Sequence, residues 1–482
     1  MIPSFTGVFT LLACLALPLL RLREALMLVA SASFLGTYAI GSDDGVHVLP
    51  GPLLAVCYCA WLAVRLLFKG LWQVPPFPGK RLFVPFLAYA ALITIAAPIL
   101  FGGRILVIQP GQVSEGIRQA TPLQWSSSSV AQLAYLVFDA VLLCAAVRAM
   151  QRPGLRIGWP VRVFLVLATA FAVGVGLEAV LAFAGWPVDL FGFVMGPEFG
   201  EFRDDRYALG DVLGLPIRRA QAVFGEPSFY SVFMTGAAGA ALVLARARPS
   251  RATVGRVALV SVALLLSLST TAVVAFALTM VMAVLVPIDA KPAAAGAPGS
   301  GRRRTLFLVG FALLAVVLVV ALLQSDTIFN YLFGKLTDTE GYEDGNYSSG
   351  AERLFWDVTA AVAMLDSYGV GIGAGATRAS SFLLNTGASY GLPGLLLLGV
   401  CVGLLLRALY RRAPFPEDAN VRAAIVMWLG WFIALAFSVP DGFSLFYIWI
   451  QLGFVLAVLA RERWAMPSWP ALSRRRGRRL ET

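Results

Sequence analysis

Between Phe5 and Leu459 the chain returns again and again to uncharged apolar runs, separated by short stretches rich in Arg, Pro and Gly. The runs are about 16 to 25 residues long, which is what an α-helix needs to cross a hydrocarbon core of about 30 Å. Inside such a core every backbone N–H and C=O must be paired within the protein, so the helix is the element these runs can form. The expectation is an all-α, polytopic integral membrane protein with about 12–14 transmembrane helices. Composition agrees: of 482 residues, 59% are hydrophobic and 13% charged, where a soluble chain carries about a quarter charged residues.

Spans are expected near 5–20, 25–40, 50–68, 82–101, 130–147, 161–184, 224–245, 257–268, 271–287, 305–323, 382–406, 421–439 and 443–460. The first, MIPSFTGVFTLLACLALPLL, lacks a basic leader and a small-residue cleavage site and reads as a span rather than a removable signal. The five cysteines (Cys14, Cys57, Cys59, Cys144 and Cys401) lie in apolar runs without metal or disulfide spacing and read as small buried hydrophobes.

The stretch VALVSVALLLSLSTTAVVAFALTMVMAVLVPI (257–288) needs a decision. As one helix it would be about 48 Å long, far more than the core requires. A single crossing would also place GRRR (301–304) on the opposite side from RARPSRATVGR (246–256). Two short segments broken near Ser269–Thr271 keep both basic loops on one side. The broken pair is the better reading.

That choice makes the charge distribution one-sided. Nine Lys/Arg fall on one face: Arg104, Arg118, Arg203, Arg206, Arg218, Arg219, Lys335, Arg353 and Arg378; the other 29 of the 38 fall on the opposite face. The net charge of +11 is therefore a positive-inside pattern and not a nucleic-acid footprint. It puts the N-terminus outside and the C-terminus inside, with the basic tail SRRRGRR (473–479) near anionic lipid. The chain divides into N-terminal spans (1–160), a core (161–410) with large outer loops at 185–223 and 324–381, and C-terminal spans with the tail (411–482). A smaller outer loop is 102–129, and AKPAAAGAPGSG (290–301) reads as a cytoplasmic linker. Leu354, Val358, Val362 and Leu365 recur at helical spacing, with Arg353, Asp357 and Asp366 off that stripe. This suggests an amphipathic helix lying along the membrane surface.

The outer stretches hold few candidates for chemistry. His47 is the one histidine, and a lone loop histidine is ordinarily incidental. No His or Cys cluster supports a transition metal. The acidic run Asp338, Glu340, Glu343, Asp344 lacks the order of a calcium loop. GVGIGAG (369–375) follows no expected strand, so it reads as a tight re-entry to the membrane rather than a dinucleotide fingerprint. In RRAQAVFGEPSFYSVF (218–233), Pro227 suits a first helical turn and Glu226 its positive dipole end. That accounts for them as a helix cap. The two arginines have no such account on a face where cations are scarce. Helices starting near 224, 271 and 382 all begin on the outer side, and their N-termini together with guanidinium forks suit a diphosphate. Ser269, Thr270 and Thr271 would add hydroxyls and free N–H groups at the break.

Four stretches in order carry a resemblance: RRAQAVFGEPSFYSVF, LLLSLSTTAVVAFAL (264–278), SGAERLFWDVTAAVAMLDSYGVGIGAG (349–375) and NTGASYGLPGLLLLG (385–399). Over roughly 160–405 the chain resembles the bacterial O-antigen polymerase and O-antigen ligase superfamily, including exopolysaccharide repeat-unit polymerases. The resemblance implies an enzyme of the inner membrane, active on its periplasmic face, that transfers sugar from undecaprenyl diphosphate without metal, nucleotide sugar or other cofactor. Its partners would be the lipid-linked oligosaccharide, a chain-length regulator and a flippase. Carried over by position, Arg218 or Arg219 and Glu226 sit at the family's Arg…Glu-Pro motif and Arg353 at the start of the second loop's arginine helix. The mechanism expected from this has Arg219 and Arg353 as catalytic residues and Glu226 as the candidate base, with Arg218, Arg203, Arg206, Arg378, Ser269, Thr270 and Thr271 binding substrate. Family ligases carry a histidine in the second loop, where this chain has Ser380, Ser381 and Phe382. That departure favours polymerase over ligase. A transporter of lipid-linked sugars is the non-enzyme alternative; it is expected to place charge at the membrane centre, where only Asp139 and Glu178 are acidic here.

Overall fold

The computed structural model describes residues 2–3, 5–36, 40–41, 47–69, 74–109, 120–151, 155–186, 188–192, 219–288, 349–410, 418–438 and 442–464. The expected span at 305–323, the linker, the acidic run at 338–344 and the basic tail lie outside the described residues, as does the side chain of His47. The described chain forms α1 (Phe5–Ala16), α2 (Leu22–Ala32), α3 (Pro50–Lys69), α4 (Lys80–Phe101), α5 (Ser127–Met150) and α6 (Gly158–Phe183). It continues with α7 (Pro227–Ala247), α8 (Arg251–Leu265), α9 (Thr270–Leu285), α10 (Ser349–Asp366), α11 (Phe382–Leu409), α12 (Asp418–Ser438) and α13 (Phe446–Trp464). Seven of them, α3–α7, α11 and α12, are long and apolar enough to cross a membrane. The chain is an all-α, multi-pass membrane protein.

The pair α7 and α12 forms the centre, with 89% and 83% of their span windows buried. Small side chains allow this contact. A Cβ at Gly236 would stand 2.3 Å from the carbonyl oxygen of Met427, so the two backbones meet where the side chain is missing, as membrane helices commonly do. Trp431 Nε1 donates to Phe233 O at 2.9 Å across the same seam. Around it, Phe34, Phe164, Phe171, Phe224, Phe233, Trp431 and Tyr447 form one aromatic cluster, with Phe34 and Phe233 centroids 4.5 Å apart. Most contacts are edge-to-face or tilted, and Phe233 stacks on Trp431 at 19°, all favoured geometries. Phe224 belongs to the stretch just before α7, so this cluster anchors that stretch to the bundle.

Polar contacts define one end of the bundle. Arg246 donates to Ala283 O and Val286 O, Arg422 to Leu409 O, and Arg461 to Met150 O and Leu155 O, while Arg23 stacks over Trp159. Arg246 thus ties the C-terminus of α7 to the C-terminus of α9. Helix α8 runs back along α7 and α9 returns, with the turn between them at the far end. The basic stretch 246–256 and residue 286 therefore share one end, as the broken pair requires. At the opposite end the described arginines are Arg104, Arg219, Arg353 and Arg378.

Helix α10 runs alongside the first half of α11, before its kink at Gly391, in the same direction. Asp357 meets Ser380, Ala360 packs with Leu384 and Ala388, a Cβ at Gly387 would touch Met364, and Leu392 N donates to Gly369 O. Its apolar stripe of Leu354, Val358, Val362 and Leu365 is exposed on the outside of the bundle. The spacing was read correctly as a helix, and its apolar stripe is left exposed while the opposite face meets α11. The cysteines are half-buried rather than buried.

Candidate functional site

The chain leaves regular helix twice within the bundle, and the candidate residues collect at these two places. The first is the turn between α8 and α9. Three carbonyls, of Leu266, Ser267 and Leu268, follow the end of α8 with no helical partner, and Leu268 is forced to φ +44°. Arg219 serves this end: its Nε donates to Ser267 O at 3.0 Å and Nη2 to Leu268 O at 3.3 Å. Ala220 N donates to Leu266 O at 2.9 Å. A cation on the C-terminal carbonyls of a helix opposes its negative dipole end, and each hydrogen bond to a charged group contributes about 1.5–3 kcal/mol. Arg219 therefore has a structural role that the sequence did not disclose.

The same stretch then makes a tight turn at 221–226 against the end of α2. Gly36 N donates to Val223 O, and a Cβ at Gly36 would overlap Gly225 N at 1.9 Å. Ala222 takes φ +47° here. Glu226 follows as the N-cap residue of α7, with Pro227 at the first helical position. Its side chain does not cap the helix; instead its carboxylate accepts from Ser228 Oγ at 2.9 Å and is otherwise directed to the exposed surface. Ser231, one turn into α7, donates to Ser267 Oγ at 3.0 Å. Two helix N-termini, of α7 and α9, thus converge beside Arg219 and Glu226, with Ser269 buried between them.

The expected third N-terminus is that of α11, capped by Ser381, whose Oγ accepts from Leu384 N. Phe382 at the start of α11 packs on Phe443 and Trp449, with centroids 5.1 and 6.4 Å away. This region is the second break, where α10 ends and the Gly-rich segment returns. Ile372 N and Gly373 N donate to Ala388 O and Ser389 O, which the kink at Gly391 (φ 60°, ψ −155°) releases from the helix ladder. Ala374 N donates to Thr94 Oγ1 at 3.0 Å, and Ser128 Oγ to Gly375 O at 2.7 Å. A Cβ at Gly371 would lie 2.7 Å from Gly391 N. GVGIGAG is thus an irregular segment that turns back onto the bundle, packed on α4, α5 and α11.

The returning segment positions Arg378. Its backbone N donates to Ile108 O at 2.7 Å, and its guanidinium lies 4.0 Å over the ring of Trp356. Asp357 accepts from both the N–H (2.7 Å) and the Oγ of Ser380. Arg353 lies three and four residues before Trp356 and Asp357, so the three share a helix face. Arg353 and Arg378 are therefore grouped on α10, whereas Arg219 and Glu226 are grouped on the α7–α9 break. Sequence reading missed Trp356, Asp357 and Thr94. The first two stood in plain view as ERLFWD, but nothing local shows what they touch. Arg203, Arg206 and Arg218 lie outside the described residues, as do the side chains of Thr270 and Thr271. Glu178 is near the end of α6 and accepts from Leu190 N (2.8 Å) and Phe191 N, holding the following stretch on the bundle.

Fold and site together define a multi-pass helical membrane protein with two interrupted helix pairs, each carrying arginines at the end of the bundle where described cations are few. No protein-family model matches the chain, and no curated protein matches its sequence.

Proposed function

We propose that the protein is a polymerase of undecaprenyl-diphosphate-linked oligosaccharide repeat units, working on the periplasmic face of the bacterial inner membrane in O-antigen or exopolysaccharide synthesis. The observation that carries this reading is the arrangement at 219–228. An exposed carboxylate, Glu226, stands at the N-cap of α7, whose second turn meets through Ser231 the α8–α9 turn that Arg219 caps. A carboxylate that can accept a proton next to fixed positive potential suits a reaction in which a hydroxyl attacks and an anion leaves.

The reaction joins the acceptor sugar hydroxyl to the anomeric carbon of the donor chain. The new C–O bond forms as the bond from that carbon to the diphosphate oxygen breaks, and the diphosphate departs with the bonding pair. Glu226 takes the hydroxyl proton. Arg219 strengthens the positive potential of the break, where the leaving diphosphate gains charge, and Arg353 with Arg378 offers a second anionic subsite on α10. Each group is set on helix or tightly hydrogen-bonded turn, which supports positioning of two large substrates. At the place where a family ligase carries histidine, Ser380 is tied to Asp357, which favours polymerase over ligase.

The test is the lipid-linked pool of a deletion strain carrying the wild-type gene or E226Q. Single repeats on the outer leaflet in the deletion and in E226Q, with polymer restored by wild type, are expected. Removal of a general base lowers rate by about 100- to 10,000-fold. Long polymer left on its lipid carrier would identify a ligase instead. Intact repeats trapped on the inner leaflet would identify a transporter.

A further inference from the structure

Helix α5 carries Asp139 twelve residues beyond Ser127, about 18 Å along the axis and so near the middle of the span. The residue is 2% exposed, and neither carboxylate oxygen has a hydrogen-bond partner among the described residues. Helix α5 itself meets the re-entrant segment, where Ser128 Oγ donates to Gly375 O at 2.7 Å and Gln132 packs on Gly375, and Cys59 on α3 and Tyr390 on α11 are the titratable neighbours of Asp139. The neighbouring helices α2, α3, α4 and α13 direct these cations to other partners: Arg23 lies over Trp159 and Arg65 over Trp61, while Lys80 donates to Val74 O and Arg461 to Met150 O. An ionised carboxylate taken out of water without a cation or donor is far costlier than the neutral acid. An ionisable group at this depth marks a proton or ion site more often than a packing element. A hard metal cation takes about six or more oxygen ligands, and a thiol with a phenol does not provide that shell.

The location of Tyr390 gives the site a consequence. Tyr390 directly precedes Gly391, where α11 kinks and its freed carbonyls receive the re-entrant segment 371–373. That segment continues to Arg378. We propose that Asp139 is an intramembrane proton-binding site coupled to the re-entrant segment: it holds its proton in the conformation described here and releases it only when α5 and the Tyr390–Gly391 kink separate and admit water. By linkage, whatever moves the re-entrant segment then changes proton occupancy, and proton occupancy biases the segment equally. The inference rests on the bundle alone and does not depend on the glycosyl-transfer reading.

Infrared spectra of the full-length protein in lipid nanodiscs test it. A protonated-carboxyl band is expected at neutral pH in wild type and is lost in D139N. Identical spectra, or a band that responds to sodium rather than pH, would overturn the assignment. Hydrogen exchange of the 369–376 amides then reads the coupling. As pH rises, wild type is expected to lose protection more steeply than D139N, which follows the intrinsic chemical rate. Equal slopes would overturn the coupling. D139N and D139L are both expected to fold, since each replaces a neutral group; failure of both would show that Asp139 is a structural partner and not a proton site.

Discussion

The two interruptions of the bundle solve one physical problem in different ways. At both, a helix stops inside a protein that a bilayer surrounds, leaving carbonyls without partners. At the α8–α9 turn a side chain supplies the donors: Arg219 reaches across from a stretch 48 residues away to Ser267 O. At the α10–α11 re-entry the backbone supplies them, because glycines allow 371–375 to lie against α11 and α4 closely enough for main-chain pairing. A side-chain solution brings charge to the break. A backbone solution brings none, and its arginine, Arg378, is placed by stacking on Trp356 instead. The first break therefore joins structure and electrostatics in one residue, while the second separates them.

Substitutions can test that contrast. The largest effect is expected from G371A. It combines a φ of +97° with a Cβ at 2.7 Å from Gly391 N, a cost of about 2–5 kcal/mol from strain and overlap. Loss of the monodisperse peak on size-exclusion in detergent would show it; a wild-type melt would mean that the re-entry tolerates a side chain. Next comes R219A, which strips two carbonyls of a charged donor and is expected to cost about 2–4 kcal/mol. R219K should recover part of the thermal stability. If R219A melts like wild type, the cap is not what holds the first break.

T94V is expected to cost about 1–3 kcal/mol by leaving the Ala374 N–H without its acceptor. Its effect should appear as faster hydrogen exchange confined to 369–376, with the α8–α9 turn unchanged. S231A removes the bond to Ser267 Oγ and is expected to cost about 1 kcal/mol, seen as a small fall in melting temperature that the double variant with R219A exceeds non-additively. Additive behaviour would mean that serine and arginine hold the first break independently.

Much of this architecture was legible beforehand. Twelve of the expected spans meet described helices, since run length and absence of charge are local properties that the bilayer thickness turns into structure. The break near 267–271 was legible because 48 Å of helix does not suit a 30 Å core. The α10 stripe was legible as a helix, but its partner was not, because the contacts of Asp357 with Ser380 and of Ala360 with Ala388 join residues more than twenty positions apart. The candidate site was less legible. RRAQAVFGEPS drew notice for its charge, but the use of Arg219 as a helix cap depends on a contact far along the chain.

The amino-acid sequence by itself determined where the helices run, which end of the bundle gathers cations, and where the chain must break. Those follow from hydropathy, length and charge, each read within about twenty residues. Only the tertiary structure decided that Arg219 caps the α8–α9 turn, that Arg378 lies over Trp356, and that Asp139 at mid-span has no hydrogen-bond partner among the described residues. These are matters of which side chain meets which across the bundle. Packing between helices distant in sequence settles them, and no local pattern encodes that.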